Sequence, residues 1–389
     1  MKIVDIECHI LVVPDLKVDA TSSSQDNLVV MVHTDEGISG IGETDTGPWI
    51  AKACIESPGS HTMAMGVKDL IIGMDPFDTT AIWEKLYTYT CMSGRRGAMI
   101  CAMGAIDMAL WDIKGKALNM PVYKLLGGAT KDKIIPYASL QPHGKTVKEY
   151  RESLVNWAKE AKKNGFTAAK MECTLAGPYN HSGLVGSDED MTEIITACRE
   201  AVGPDFKMMV DVQYLWYDAK SALRTISKWE HLDIFFLETP LSIDNLEGYA
   251  ILSREAPMRI AAGEWQNTRF EFLDLLDKGN VDVAQPDIGR VGGLTEAMRV
   301  CHMAQDRGRL IVPHCWKTGI GIAASAHMAA ATSNCPFIEY LPPYLCDSVL
   351  RTELVEEPLH MKQGSLALPD KPGLGISMNW DAFNKYRIK

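Results

Sequence analysis

Three acidic residues, Asp211, Glu238 and Glu264, close short apolar runs and are 27 and 26 residues apart. If these runs are neighbouring strands of a parallel barrel, their ends lie about 5 Å apart and the carboxylates converge. Three close anions repel one another strongly, which raises a pKa or requires a cation between them. Because oxygen-only ligation suits Mg²⁺, the spacing predicts a magnesium site. The alternative is that each acid only caps the helix after its strand.

An aspartate and a histidine form a second candidate pair later in the chain. Asp287 and His314 each follow a proline at the end of an apolar run and are 27 residues apart. Neighbouring strand ends would place the carboxylate beside the imidazole, which fixes the tautomer and raises the pKa of the imidazole. Such a pair can act as general base or general acid near neutral pH. The alternative is a structural histidine whose hydrogen bonds are satisfied within the fold.

Three more charged residues are predicted at the same end of the barrel. Strand alternation sends Lys170 and Glu172 to the same, inward side. We expect Lys170 to bind an anionic substrate or, if its pKa is lowered, to act as a base. The alternative is that Lys170 forms an ion pair with Glu172 and has no catalytic role. Glu339 ends the last apolar run, where it either donates a hydrogen bond to a substrate carboxylate as the protonated acid or pairs with a nearby lysine or arginine.

A barrel would bring these strand ends together, and the pattern after Gly127 and Gly128 fits one. Short apolar segments there alternate with amphipathic helices such as Val147–Asn164 and Met191–Val202, which favours a (β/α)₈-type barrel. A doubly wound sheet is the alternative, but no GxGxxG or P-loop sequence follows the first strand. The predicted strands are Ile134–Ala138, Ala168–Met171, Met208–Val212, Ile234–Leu237, Ile260–Ala262, Val281–Ala284, Leu310–Val312 and Phe337–Ile338.

The first third of the chain has the pattern of an α+β unit. Its strands alternate in polarity, and Asp35-Glu36-Gly37 supplies a turn between the second and the third. The predicted strands are Lys2–Val13, Asn27–His33 and Ile38–Glu43, and the predicted helices are 62–72, 77–92 and 98–117. We therefore predict three parts, residues 1–128, 129–350 and 351–389, of which the last runs back onto the first.

The composition limits the classes of partner. The chain has 389 residues, a net charge of −11 and no visible basic stripe, which argues against a nucleic-acid partner. No apolar run reaches the length of about 18 residues that a membrane span needs. The ten cysteines lack a CxxC pair and are typical of reduced core residues, and the N-terminus begins with a strand pattern rather than a signal peptide. We therefore expect a cytoplasmic protein.

With its site residues at these spacings, the chain resembles the mandelate racemase subgroup of the enolase superfamily over nearly its whole length. The supporting motifs are Ala105–Lys116, Pro121–Gly128, Gly292–Glu296 and Pro372–Gly375. Muconate-lactonizing relatives carry a lysine on the sixth strand, whereas this chain has Asp287 there and pairs it with His314. The resemblance implies an α+β capping domain over a modified (β/α)₇β barrel, and a homo-oligomer from dimer to octamer.

The resemblance also implies a reaction. Asp211, Glu238 and Glu264 would hold one Mg²⁺ per subunit, which binds the carboxylate of a small anionic substrate while the proton on the adjacent carbon is removed. Lys170 and Glu339 would orient that carboxylate.

One departure from mandelate racemase bears on the type of reaction. The Lys-x-Lys pattern of the second strand is Lys170-Met171-Glu172 here, so the second lysine, the usual base for one face, is replaced. A racemase needs bases on both faces, whereas a dehydratase needs one base and an acid that expels a β-hydroxyl. We therefore expect a sugar-acid dehydratase, acting on an aldonate or aldarate, with His314 as base, acid or both and Glu172 as a second acid-base group. A racemase or epimerase, a metal-dependent hydrolase and a non-catalytic barrel are the alternatives.

Loops near the strand ends are expected to select the substrate. His143 follows the first barrel strand and Trp316-Lys317 follows His314. Segments 19–25 and 44–49 of the capping domain are further candidates. Each of these residues could equally be an ordinary surface residue.

Overall fold

The computed structural model describes residues 1–17, 24–180, 182–345 and 348–388 and contains two sheets. The first sheet has three antiparallel strands, β1 (Ile3–Val12), β2 (Asp26–Thr34) and β3 (Ser39–Thr44). Gly37 has a φ of 78° and provides the left-handed turn residue between β2 and β3. The strand predictions are confirmed, with a difference of one residue at each end.

Five helices follow this sheet. They are α1 (Pro48–Glu56), α2 (Val67–Ile71), α3 (Thr79–Gly94), α4 (Ala98–Ala117) and α5 (Val122–Leu125). The prediction over 98–117 matches α4, and that over 77–92 matches α3 with a shift of two residues. The prediction over 62–72 is wrong in length, because His61 and Ala64 form a β-bridge and the helix begins only at Val67. Sequence reasoning missed α1, although Pro48 in its first turn is a start signal.

The second sheet has eight parallel strands, in chain order from β4 to β10 with β11 beside β4. Within the described residues, no ladder joins β10 to β11. The strands are β4 (Pro136–Leu140), β5 (Ala168–Glu172), β6 (Lys207–Asp211), β7 (Ile234–Glu238), β8 (Arg259–Ala262), β9 (Val283–Ala284), β10 (Leu310–Ile311) and β11 (Ile338–Tyr340). Their number and direction confirm the predicted barrel class.

A helical segment follows each of the first seven barrel strands, which confirms the (β/α)₇β order. The helices are α6 (Val147–Lys163), α7 (Asp188–Val202), α8 (Ala219–Ile226), α9 (Leu246–Glu255), α10 (Thr268–Asp277), α11 (Ile288–Val291), α12 (Leu294–Asp306), α13 (Gly319–Ala331), α14 (Val349–Glu353) and α15 (Trp380–Tyr386). In the described part of the chain, none of them is long and apolar enough to cross a membrane.

The first barrel strand begins two residues later than predicted. Ile134, the predicted first residue, instead forms an antiparallel bridge with Leu366 of the C-terminal segment. Its backbone N–H and C=O both bond to Leu366, at 3.0 and 2.8 Å. A short apolar run does not reveal which of its residues has such a distant partner, so the strand end was misplaced.

Helix α4 packs so closely on β3 that two strand positions must be glycine. A Cβ atom at Gly42 would lie 2.0 Å from the carbonyl oxygen of Ala105, and one at Gly40 would lie 2.0 Å from that of Ala109. Such distances are impossible for real atoms, so any larger residue would separate the helix from the sheet.

The C-terminal segment contacts the first sheet. Leu11 of β1 bridges to Arg387, and the N–H of Ile388 donates to the carbonyl oxygen of Ile10 at 2.9 Å. The exact division of the chain at residues 128 and 350 stays a prediction.

Candidate active site

The three predicted metal-binding carboxylates end consecutive strands of the barrel. Asp211 and Glu238 are the last residues of β6 and β7 and are partners in the ladder between these strands. Glu264 follows β8 after Gly263, whose φ of 131° lies in the region that favours glycine. The fold thus brings the three strand ends side by side.

Asp211 and Glu238 are both buried, and their surroundings raise the pKa of each carboxyl group. For Asp211, burial and then repulsion by Glu238 raise the pKa well above its ordinary value. Burial also raises the pKa of Glu238, although the nearby Lys170 opposes it. Asp211 Oδ1 accepts hydrogen bonds from the backbone of Gln213 and the hydroxyl of Thr239, both at 2.9 Å. The carboxylate is therefore fixed in position by the loops that follow β6 and β7.

Lys170, on β5, is the cation within this acidic group. Its Nζ lies 2.5 Å from Glu238 Oε1, 2.9 Å from Glu339 Oε1 and 3.7 Å from Asp211 Oδ2. Burial lowers the pKa of Lys170, but Glu238 and Glu339 outweigh it and raise the pKa well above its ordinary value. This contradicts the expectation that Lys170 is a base with a lowered pKa. Its ion-pair partners also differ from the predicted Glu172, because the side chain reaches across the barrel to other strands.

Glu339, on β11, is held as an anion. It accepts hydrogen bonds from the backbone of Cys315 at 2.9 Å and from the indole of Trp316 at 3.0 Å. Burial raises its pKa, but Lys170 and His314 lower it to about 2. Of the two sequence-based alternatives, the structure therefore favours the ion pair over the protonated donor.

Glu264 joins the acidic group to the histidine. Its Oε1 accepts a hydrogen bond from the hydroxyl of Tyr214 at 2.7 Å. Its Oε2 lies 3.2 Å from His314 Nε2 and 3.5 Å from Arg290 Nη1. The hydroxyl of Tyr214 therefore binds one oxygen of the Glu264 carboxylate, and the side chains of His314 and Arg290 lie near the other oxygen.

His314 and Asp287 form a buried pair at the ends of neighbouring strands. Nδ1 of His314 lies 2.6 Å from Asp287 Oδ2, so Nε2 faces Glu264. Burial and Arg290 lower the pKa of His314, but Glu339, Asp287 and Glu264 raise it to about 9. The arrangement gives one imidazole nitrogen a fixed carboxylate partner and leaves the other to exchange protons within the site.

Glu172 ends β5 and is buried. Its Oε2 accepts a hydrogen bond from Gln141 Nε2 at 3.0 Å. Glu172 and His314 line the same cavity. Glu172, the second predicted acid-base group, therefore faces the same cavity as His314.

This cavity, at the ends of the barrel strands, has a volume of about 430 Å³. Carboxylates, neutral hydrogen-bonding groups and aromatic rings all contribute to its walls. The lining residues are Ser139, Gln141, Glu172, Pro178, Tyr179, Asn180, Asp211, Gln213, Tyr214, Glu264, Trp265, Arg290, His314 and Trp316. The volume lies within the range of small-molecule sites in proteins.

His143 lies away from this cavity. Its side chain is exposed and packs edge-on against Trp157 of α6, with ring centroids 6.2 Å apart. Gln141, two residues earlier, lines the cavity instead. The backbone N–H of His143 donates to Ser153 Oγ of α6 at 3.1 Å, which places the residue against this helix.

The capping-domain candidates are only partly described. Residues 19–23 lie outside the described residues. Within 44–49, Asp45 reaches the site: its Oδ2 accepts a hydrogen bond from Arg290 at 2.8 Å, and its Oδ1 lies 3.7 Å from Lys317 Nζ. Trp49, in contrast, is largely exposed on α1.

Sequence reasoning missed two central residues, Tyr214 and Arg290. Tyr214 lies three residues after Asp211, and Arg290 lies three residues after Asp287. Both therefore belong to the segments that leave strand ends, where barrel enzymes carry their site residues. Their positions shortly after strand ends indicate candidate site residues, but these positions do not predict the contacts of Tyr214 and Arg290 with Glu264.

The donor set of the three strand-end carboxylates fits a hard divalent cation. Asp211, Glu238 and Glu264 offer only oxygen atoms, and a cation would offset the repulsion that raises the pKa of Asp211 and Glu238. Soft metals prefer thiolate ligands, which none of these positions supplies.

A second group of ligand atoms lies nearby but forms a charge network. Asp45, Asp287 and His314 have one ligand atom each within 4.8 Å of one another. Arg290 binds Asp45, and His314 uses its Nδ1 to bind Asp287. Because these atoms are already paired with protein cations, we assign no metal to this group.

Comparison with known proteins identifies the family. Residues 8–127 match the N-terminal domain of mandelate racemase / muconate lactonizing enzyme, and residues 153–382 match the enolase C-terminal domain-like family. The chain belongs to the mandelate racemase subgroup of the enolase superfamily. The predicted resemblance is therefore confirmed, and the chain is an enzyme of this superfamily.

Similar proteins include a dehydratase and two cycloisomerases. The chain is 33% identical to the arabinonate dehydratase of Saccharolobus solfataricus over 92% of its own length and 90% of the relative's. It is 31% identical to the D-galactarolactone cycloisomerase of Agrobacterium fabrum over 93% and 91%. The crystal structure of 3,6-anhydro-D-galactonate cycloisomerase from Zobellia galactanivorans superposes with a TM-score of 0.86, 32% identity and 100% coverage of both chains.

Proposed function

We propose that this enolase-superfamily enzyme is a Mg²⁺-dependent dehydratase that converts an aldonate or aldarate into a 2-keto-3-deoxy acid. The observation that carries the proposal is that His314, held by Asp287, lines the same cavity as Asp211 and Glu264. The proton next to a carboxylate is only weakly acidic, so its removal requires a base close to a metal ion held by acidic residues.

Asp211, Glu238 and Glu264 would hold the metal ion. When bound, Mg²⁺ supplies positive charge that stabilises the negative charge developing on the substrate carboxylate. The carboxylate-only donor set and the raised pKa of Asp211 support this assignment.

His314 removes the proton in this proposal. The carboxylate of Asp287 holds Nδ1 of His314 and stabilises the imidazolium that forms when Nε2 accepts the substrate proton. For that step the imidazole must first be neutral, so the anionic groups that raise its pKa also make it a strong base.

Loss of water completes the reaction. The electron pair of the broken C–H bond forms a carbon–carbon double bond, and the β-hydroxyl leaves with a proton as water. Either the imidazolium of His314 or a protonated Glu172 on the same cavity supplies that proton. The resulting enol then becomes the 2-keto-3-deoxy acid.

Substrate orientation falls to the remaining site residues. Lys170, held by Glu238 and Glu339, provides fixed positive charge for the substrate carboxylate. Trp316 lines the cavity and is itself fixed by its hydrogen bond to Glu339. The position of His143 outside the cavity gives no support to a role in substrate binding. A cytoplasmic location and a homo-oligomer stay predictions.

Isomerisation is the second candidate function. Glu172 and His314 line one cavity, and an isomerase would need both acid-base groups to reach the same substrate carbon. The relatives named as cycloisomerases also favour this class. A glutamate is a weaker base than the lysine that it replaces at position 172. Because a racemase needs a base on both faces of the substrate and a dehydratase needs only one, this replacement favours the dehydratase.

A screen of aldonic and aldaric acids, with Mg²⁺ and with EDTA, tests the proposal. We expect a 2-keto-3-deoxy acid from at least one acid with Mg²⁺ and none with EDTA. An epimerised or cyclised product without loss of water would favour the isomerase, and turnover that persists in EDTA would contradict the metal assignment.

A further inference from the structure

Left-handed backbone conformations occur after two of the three strand-end carboxylates, Asp211 and Glu238. Gln213 and Tyr214, which follow Asp211, have φ values of 47° and 59°, and Thr239, which follows Glu238, has a φ of 46°. Residues with a Cβ rarely adopt this conformation, and they do so mainly where the surrounding structure enforces it. The segments after β6 and β7 therefore contain backbone conformations that are unfavourable for their residue types and that set the direction of the chain there.

Tyr214 is the residue that connects these segments. Its backbone N–H donates to the carbonyl oxygen of Thr239 at 2.6 Å. Its hydroxyl donates to Glu264 Oε1 at 2.7 Å. Its ring stacks on Trp265, the residue after Glu264, with centroids 4.4 Å apart and an interplanar angle of 23°. Through its backbone and its side chain, Tyr214 thus contacts the segments that follow all three carboxylate-bearing strands.

The phenol also determines which oxygen of Glu264 faces the rest of the site. Because Tyr214 binds Oε1, it is Oε2 that lies 3.2 Å from His314 Nε2 and 3.5 Å from Arg290 Nη1. Loss of this donor would leave the Glu264 carboxylate free to rotate toward either cation.

We propose that Tyr214 is a positioning residue that fixes the orientation of Glu264 and thereby sets the affinity of the site for its divalent ion. This inference rests on the proposed function, because it takes Glu264 as a metal-binding residue. The left-handed backbone aims the side chain, the stack on Trp265 holds the ring, and the hydroxyl fixes the carboxylate. Hydrogen bonds of this kind typically change metal affinity by about 10–100-fold.

Mn²⁺ binding, followed by the electron paramagnetic resonance signal of the free ion, tests the inference without substrate. Tyr214→Phe removes only the hydroxyl and keeps the ring on Trp265. We expect its Kd for Mn²⁺ to rise about 10-fold or more relative to the wild type. Tyr386→Phe is the matched control, because Tyr386 is a buried tyrosine of α15 whose hydroxyl donates to Glu353 Oε2 at 2.7 Å. Its Kd for Mn²⁺ should equal that of the wild type.

A purely structural role would lower the thermal stability of both tyrosine variants and leave Mn²⁺ affinity unchanged, which would overturn the inference. Glu264→Gln separates this failure from failure of the proposed function. If Glu264→Gln weakens Mn²⁺ binding and Tyr214→Phe does not, Glu264 binds the ion but Tyr214 does not position it. If the wild type itself binds no Mn²⁺, the proposed function and the inference both fail.

Discussion

The side chains of His314 and Asp287 meet in a buried hydrogen bond of 2.6 Å between Nδ1 and Oδ2. They come from the ends of neighbouring barrel strands, 27 residues apart in the chain. Because Nδ1 is engaged, only Nε2 can exchange a proton with a bound molecule.

His314→Asn should remove catalysis while leaving the metal site intact. Asn can still bond to Asp287 but has no basic nitrogen, so we expect kcat to fall by about 10²–10⁴-fold. Mg²⁺ affinity by calorimetry should stay near that of the wild type. His302→Asn, at an exposed position on α12, serves as the control and should keep full activity. Retention of most activity in His314→Asn would reject its role.

Glu238→Gln should weaken Mg²⁺ binding, because it removes one anionic ligand and half of the charge pair with Lys170. Isothermal titration with Mg²⁺ measures the effect. Glu296→Gln is the matched control, since Glu296 is equally buried but pairs with Arg269 on the outer helices. If both variants bind Mg²⁺ as the wild type does, Glu238 is not a ligand.

Lys170→Met should destabilise the metal-free protein by about 3–5 kcal/mol, because it leaves Glu238 and Glu339 buried without their cation. Added Mg²⁺ should recover part of this loss, since a divalent ion at Asp211 and Glu238 replaces the missing charge. Denaturant unfolding with and without Mg²⁺ measures both quantities.

Lys131→Met is the control for the Lys170 variant. Lys131 is half-buried and donates to the carbonyl oxygen of Cys335. Its removal therefore leaves no buried carboxylate without a cation. We expect a smaller loss of stability and no specific recovery by Mg²⁺. Equal responses of the two variants to Mg²⁺ would contradict the placement of the ion near Lys170.

His327 of α13 should make the protein less stable as the pH falls. Burial lowers the pKa of His327 to about 4, and its Nδ1 accepts a hydrogen bond from the backbone of Tyr123 at 3.1 Å. The neutral imidazole is therefore favoured in the folded state, whereas the unfolded chain binds a proton below pH about 6.5. The stabilising contribution is complete above pH about 6.5 and is lost as the pH falls toward 4, by roughly 3 kcal/mol.

His327→Asn tests this contribution, because asparagine keeps an acceptor for Tyr123 and does not titrate. We expect the denaturation midpoint of the variant to depend less on pH between 6.5 and 4 than that of the wild type. Parallel pH profiles for the two proteins would contradict the prediction.

Much of the fold was accessible from the sequence, because its signals are local. The alternation in β1, β2 and β3 and the repeated strand–helix pattern predicted both sheets, and Asp211 and Glu238 were correctly placed at strand ends. The start of β4 was missed because Ile134 pairs with Leu366, 232 residues away. Such a pairing leaves no mark in the local pattern.

The side-chain partners within the site were less predictable. The sequence put Lys170 and Glu172 on one face of β5, but the lysine instead reaches Glu238 and Glu339 on other strands. Tyr214 depends on backbone conformations that residue type alone does not indicate. Contacts across the barrel depend on side-chain length and on loop geometry, and neither has a periodic signature.

In the proposed reaction, His314 removes a proton next to the substrate carboxylate and water is then lost. The most direct measurement follows a reactive sugar acid by NMR in D₂O with Mg²⁺, for the wild type and for His314→Asn. We predict that the wild type forms a 2-keto-3-deoxy acid that carries deuterium at C3, and that product formation and α-proton exchange are both at least about 10²-fold slower in the variant. Product formation by the variant at a rate near that of the wild type, or exchange of the α-proton in the wild type without loss of water, would exclude this reaction.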